Sequence, residues 1–141
     1  MKGIFFCCLL TIWMVSCKSA KESVSLTVVK WVAESLNGKE IKFKERGSEV
    51  FITLESDNKK VFGRAGCNRF FGTYEQNESQ LTFSGMGATR MACPDMDIET
   101  SFFKVLEDTK SFIIKNDKLT LKDNNNVIAV FKAQKETPEK E

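Results

Sequence analysis

Histidine is absent from all 141 residues, and that one absence removes whole classes of chemistry. A Ser-His-Asp triad is impossible, a cysteine nucleophile has no imidazole to activate it, and most transition-metal sites lose their usual ligand. The five cysteines include no Cys-x-x-Cys pair, which excludes a thioredoxin-type redox motif. No apolar run reaches the ~20 residues a membrane-spanning helix needs. Charge of neither sign dominates, with 21 Lys and Arg against 19 Asp and Glu, and no basic stripe stands out, so nucleic acid is not an expected partner. Repeats of fixed period are missing too. The glycines at 63, 66, 72, 85 and 87 open no helix at phosphate-loop spacing and read as bends or bulges in a curved sheet.

What is present begins with an address. Lys2 precedes an apolar run over residues 4–15, the charged and apolar parts of an export signal. Residues 4–10 are apolar all round and offer no polar face, unlike an amphipathic helix. The run ends in Met-Val-Ser-Cys at 14–17, which resembles the lipobox of bacterial lipoproteins. Cleavage is then expected between Ser16 and Cys17, with diacylglycerol on the Cys17 sulfur and a third acyl chain on its amine. Several chains anchor firmly at ~0.8 kcal/mol per buried methylene. Conventional cleavage after Ala20 is the competing reading, but it sets Lys18 three residues before the cut, where a small residue belongs. Lys18, with no aspartate beside it, resembles the outer-membrane sorting pattern of some Gram-negative bacteria. Residues 18–23 carry only Glu22 as an acid, unlike acid-rich tethers linked to surface display. The expected location is the cell envelope, lipid-anchored in the outer membrane and facing the periplasm.

The sequence divides into a signal at 1–16, the lipidated cysteine and a polar tether at 17–27, one domain at 28–133 and a polar, frayed tail at 134–141. About 105 residues suffice for one hydrophobic core and not for two domains. Strand-like stretches at 28–36, 50–54, 61–65, 67–74, 81–83, 111–114, 119–121 and 127–131 are separated by turn chemistry: Asn37-Gly38, Ser56-Asp57-Asn58, the polar run at 76–79, Asn116-Asp117 and the run at 123–126. One helix interrupts them. Pro94 suits its first turn, Asp95, Asp97 and Glu99 place negative charge at the positive end of its dipole, and Ile98, Phe102, Val105 and Leu106 recur at helical spacing. These three acids could also be imagined as a calcium site, but alternate spacing on a helix scatters their carboxylates, and no metal or cofactor is expected. The predicted fold is mainly β: an antiparallel curved sheet or small barrel of about eight strands with one covering α-helix.

Cys67 and Cys93 are the cysteines left once 7 and 8 are cut away and Cys17 is acylated. Outside the cytoplasm paired thiols tend to oxidise, and within one chain these two have only each other. A crosslink over about 27 residues stabilises by ~3.5 kcal/mol in the chain-entropy model. Two unpaired thiols, or one reactive thiol, are the competing readings, the last weakened by the missing histidine. Asn68, Arg69 and Arg90 are the polar residues hardest to set aside. A polar cluster fixing strand register beside the crosslink and a ligand pocket both account for them.

Taken together, GCNRFFGTY at 66–74, GATRMACPD at 87–95 and the following helix with Glu99, Phe102 and Leu106 resemble the META domain, also called the HslJ-like domain. The Trp31-to-Ile41 segment with its Asn37-Gly38 turn is similar to that family's first strand pair. The resemblance spans about 28–133. It implies a barrel-like antiparallel β domain with one helix, common in bacterial envelope lipoproteins, with members linked to stress tolerance, secretion or virulence and no established catalytic residues. The expectation is a non-enzymatic envelope lipoprotein that binds an envelope protein or a small apolar ligand. An inhibitor or accessory subunit docking on a secreted enzyme or envelope assembly is the alternative.

Overall fold

A computed structural model describes residues 24–27, 29–43, 49–94 and 96–134. The signal segment, Cys17, Asp95 and the tail beyond 134 lie outside the described residues. Among the described residues nine strands and one helix follow in chain order: β1 Lys30–Leu36, β2 Lys39–Glu40, β3 Val50–Leu54, β4 Lys60–Ala65, β5 Arg69–Asn77, β6 Gln80–Ala88, α1 Asp97–Asp108, β7 Ser111–Lys115, β8 Lys118–Lys122 and β9 Val127–Gln134. The ninth strand is the two-residue β2, brought back against β1 by the Asn37-Gly38 turn, where both residues take positive φ.

Every pairing is antiparallel, and β1 bonds to both β3 and β9, so the sheet closes into a ring. The seam between β6 and β7 is the weakest join, a single pair, Gln80 with Ser111. It is held by the Phe112 N–H to the Ser79 carbonyl at 2.9 Å and the Leu81 N–H to the Lys110 carbonyl at 3.1 Å. Period-two alternation sends one face of each strand inward: Val50, Ile52 and Leu54 from β3, Val61 and Ala65 from β4, Phe70 and Tyr74 from β5 are all buried. The helix, chained between β6 and β7, closes the interior with Phe102, Val105 and Leu106. Phe102 is fully buried between Phe70 of β5 at 5.1 Å and Phe131 of β9 at 6.5 Å between ring centroids. Tilted and edge-on rings of this kind add ~0.5–1.5 kcal/mol beyond area burial.

Two sequence expectations shift. Pro94 stands ahead of the helix and not in its first turn, because α1 begins at Asp97 after Met96. The segment before it is held against the β4–β5 hairpin by hydrogen bonds and a crosslink, which delays helix entry. The packed domain also starts before residue 28: Leu26 is buried, and its carbonyl accepts the Trp31 indole N–H at 2.9 Å. A buried indole N–H needs such a partner, and residue 26 supplies it.

Candidate functional site

The Cys67 end of the molecule is built around a tight hairpin. Arg64 of β4 pairs with Arg69 of β5, and the Ala65 N–H donates to the Asn68 carbonyl at 2.9 Å, leaving Gly66 and Cys67 as the connection. Gly66 takes φ +119° there, a conformation L side chains rarely adopt. The expected strand from residue 67 therefore starts two residues later, since Cys67 belongs to the turn.

Cys67 and Cys93 are joined as a disulfide, with Cα atoms 6.4 Å apart. Asn68 beside it is buried at 1% exposure and spends its side chain on the protein itself. Its Oδ1 accepts the Thr89 hydroxyl at 2.7 Å and the Met91 N–H at 2.8 Å. Its Nδ2 donates to Glu99 Oε1 at 2.9 Å and to the Met91 carbonyl at 3.3 Å. The Asn68 backbone N–H reaches Glu99 Oε2, again at 2.9 Å. Thus the hairpin tip, the segment after β6 and the first turn of α1 are tied by one asparagine. Glu99, expected to serve the helix dipole, is buried and serves this network instead, while Asp97 in the same turn is exposed. Buried polar groups left unpaired are costly, and among the described residues no buried side-chain nitrogen or oxygen lacks a partner.

Arg69 and Arg90 have different surroundings from Asn68. Both are exposed. Arg69 lines a cleft of about 450 Å³ on the outer face of β3, β4 and β5, together with Lys30, Glu49, Phe51, Phe62 and Arg64; Arg90 is not among its lining residues. The structure therefore brings Asn68 to the crosslink and Arg69 to an outer cleft. Asn68, in the turn, is buried by its bonds to Glu99, Thr89 and Met91, whereas Arg69, the first residue of β5, is exposed on the outer face. Lys30 donates to Glu49 at 2.8 Å and lies 4.5 Å from the centroid of the Phe51 ring, an arrangement that combines an ion pair with a cation–π contact. Phe62 and Phe71, direct partners across β4 and β5, remain 38% and 64% exposed. The rings were missed by sequence reasoning centred on polar residues. Alternation through Lys60–Ala65, with Val61 inward, already assigns Phe62 and Arg64 to the outside.

Among the described residues no group of three or more His, Cys, Asp or Glu side chains is placed to hold a metal ion. A more voluminous cleft, about 860 Å³, lies elsewhere, along Val32, Glu34, Ile41, Phe43, Lys118 and Lys132. It is open, and Lys118 and Glu34 form an ion pair at 2.6 Å beside it.

No curated protein matches the chain. Two solved structures share its fold. A solution NMR structure of a protein from Burkholderia xenovorans superposes with a TM-score of 0.65 at 22% identity, over 77% of this chain and 83% of that one. A second NMR structure gives a TM-score of 0.60 at 23% identity, over 77% of this chain and 94% of that one. At these identities the likeness establishes the fold. The META domain model matches residues 24–136, from the buried Leu26 region through β9, and on that match the chain belongs to the META domain family.

Proposed function

We propose that this chain is a non-enzymatic, lipid-anchored binding protein of the bacterial cell envelope, which holds its META domain in the periplasm through acylated Cys17 and supports tolerance of envelope stress. The observation that carries the binding reading is the outer face of β4 and β5, where Phe62 and Phe71 lie exposed beside Arg64 and Arg69. Contiguous apolar surface rimmed by polar groups marks interaction sites. The address is supported by the export-type run at 4–15, the lipobox-like Met14-Val15-Ser16-Cys17 and the Cys67–Cys93 disulfide, a bond that persists in oxidising compartments. The missing histidine, and the engagement of Asn68 and Glu99 with each other, support a role without catalysis.

Intact mass and membrane fractionation test the anchor. The mature protein should carry acyl chains on Cys17 and sediment with membranes, and Cys17→Ser should release it. An unacylated amino terminus beyond Cys17 refutes the anchor. Crosslinking in intact envelopes followed by purification tests the binding role: several bound species support a binding module, one stoichiometric protein would recast it as an accessory subunit, and none would refute it. Unchanged stress tolerance after gene deletion removes the stress role.

A further inference from the structure

Asn77, Glu78 and Ser79 form an Asn-x-Ser triplet at the tip of the β5–β6 hairpin. No other asparagine in the chain has Ser or Thr two positions on. In an exported protein this triplet is an acceptor sequence for N-linked sugar, provided that it lies in a surface turn. The hairpin meets that condition. Asn77 pairs with Gln80 to close a two-residue turn, Glu78 takes φ +52° in it, and all four residues are exposed. Among the described residues nothing hydrogen-bonds to the Asn77 side-chain amide or to the Ser79 hydroxyl; Ser79 serves the fold through its backbone carbonyl, which accepts the Phe112 N–H at 2.9 Å. A carboxamide nitrogen is a weak nucleophile because its lone pair is delocalised into the carbonyl. A transferase must therefore grip and twist the amide, which requires a side chain that the fold does not hold. Asn68 is the opposite case, buried with its amide donating to Glu99 and Met91. Glu75, two positions before Asn77, is exposed and makes no ion pair with any described residue. Its carboxylate can seat on a cation of the transferase, which lengthens the readable sequence to Glu-x-Asn-x-Ser.

We propose that Asn77 is an N-glycosylation site, modified by an envelope oligosaccharyltransferase that draws on a polyprenyl-diphosphate-linked oligosaccharide. In the transfer the Asn77 Nδ2 attacks the anomeric carbon of the sugar and a C–N bond forms. The bond from that carbon to the diphosphate oxygen breaks, polyprenyl diphosphate leaves with the electron pair, and one amide proton passes to a base of the transferase. Nothing is oxidised or reduced. The attachment point lies at the end of β5 away from the Cys67–Cys93 crosslink. At ~3.3 Å per strand residue it stands about 20 Å from Phe71, away from the exposed aromatic pair. The inference rests on the envelope address proposed above and adds a modification to it.

The test isolates the whole protein from the envelopes of its own bacterium and measures two parts of it by mass spectrometry: the amino terminus, and the tryptic peptide 70–90 that follows Arg69 and ends at Arg90. Peptide 70–90 is expected to be heavier by a series of sugar residues, with fragmentation placing the first sugar on Asn77. Asn77→Gln and Ser79→Ala should each abolish the added mass, and Ser79→Thr should retain it. Glu75→Gln should lower occupancy about tenfold, the loss of one charge-assisted contact. These positions are exposed in a turn, so the variants should fold, and Ser79→Thr separates a lost hydroxyl from a disturbed hairpin. Peptide 70–90 found only at its unmodified mass beside an acylated Cys17 overturns the glycosylation and leaves the envelope address standing. The same peptide beside an uncleaved, unacylated amino terminus overturns both. Added mass that survives Asn77→Gln overturns the site, and undiminished occupancy in Glu75→Gln overturns the role given to Glu75.

Discussion

The carboxylate of Glu99 receives two hydrogen bonds from one residue, the backbone N–H and the side-chain amide of Asn68, each at 2.9 Å. The contact spans 31 residues of sequence and locks the first turn of α1 to the β4–β5 hairpin tip. Charge-assisted bonds to a buried carboxylate are about twice as strong as neutral ones, so this pair should dominate the local stability of that end of the domain.

Asn68→Ala strands the Met91 N–H, the Thr89 hydroxyl and Glu99 Oε1 together, while the backbone N–H of residue 68 can still reach Glu99 Oε2. The expected loss is about 3 kcal/mol, from buried groups left unsatisfied. Glu99→Gln keeps one acceptor but turns an amide N–H toward a donor, and should lose about 1–2 kcal/mol. Urea denaturation measures both. A double-mutant cycle should show coupling above ~1 kcal/mol, and additive losses would mean the two residues do not act as a unit.

Reducing the Cys67–Cys93 bond should lower stability by about 3.5 kcal/mol in the chain-entropy model while leaving the fold intact, since the ring and its core do not depend on the crosslink. Paired denaturation curves with and without reductant read this directly. Labelling of both cysteines in the unreduced, folded protein would show that the bond does not form.

Gly63 of β4 faces inward between Ile52 and Phe70, and a Cβ there would collide with the Phe51 backbone carbonyl and come within 3.0 Å of the Phe70 ring. Backbone cannot swing aside as a side-chain tip can. Gly63→Ala is therefore expected to cost about 2–3 kcal/mol, in the range of overpacked cores. A shift of the urea midpoint with unchanged slope is the anticipated signature; an unshifted midpoint would count against this close approach.

Tyr74 is the only tyrosine in the chain, which makes tyrosinate absorbance a reporter for one site. It is 1% exposed, donates its hydroxyl to the Glu55 carbonyl at 3.1 Å, and burial raises its pKa above the ordinary tyrosine value. The folded state thus holds this proton to higher pH than the unfolded state does. Its contribution to stability is full below the unfolded pKa of ~10 and is lost as pH rises through the folded pKa. The folded protein should titrate above the denatured chain, and coincident midpoints would contradict the burial argument.

Most strand positions were legible in sequence because their causes are local. Val50–Leu54 alternates apolar and less buried positions, Asn37-Gly38 tolerates positive φ, and Ile98, Phe102, Val105 and Leu106 repeat at helical spacing. What failed locally failed for tertiary reasons. Glu99 sits among acids that suit a helix start, and only the arrival of Asn68 from 31 residues away gives its carboxylate a buried role. Pro94 has the chemistry of a first helical turn, yet the crosslink and the Asn68 bonds to Met91 hold its neighbourhood against the hairpin. Of the three polar residues singled out, Asn68 is engaged internally and Arg69 joins a cleft whose aromatic members carry no distinguishing motif.

Sequence by itself determined the family, the class of fold, the turns, the missing imidazole chemistry and the cysteines able to pair, because each depends on residue type or on spacing over a few positions. Only the tertiary structure decided that the sheet closes through β1 and β9, that Asn68 belongs to the interior, and that Arg64 and Arg69 meet across two strands beside Phe62 and Phe71. Those facts depend on register between strands. One residue of slip would send each side chain to the opposite face, and the packing of a shared core selects the register.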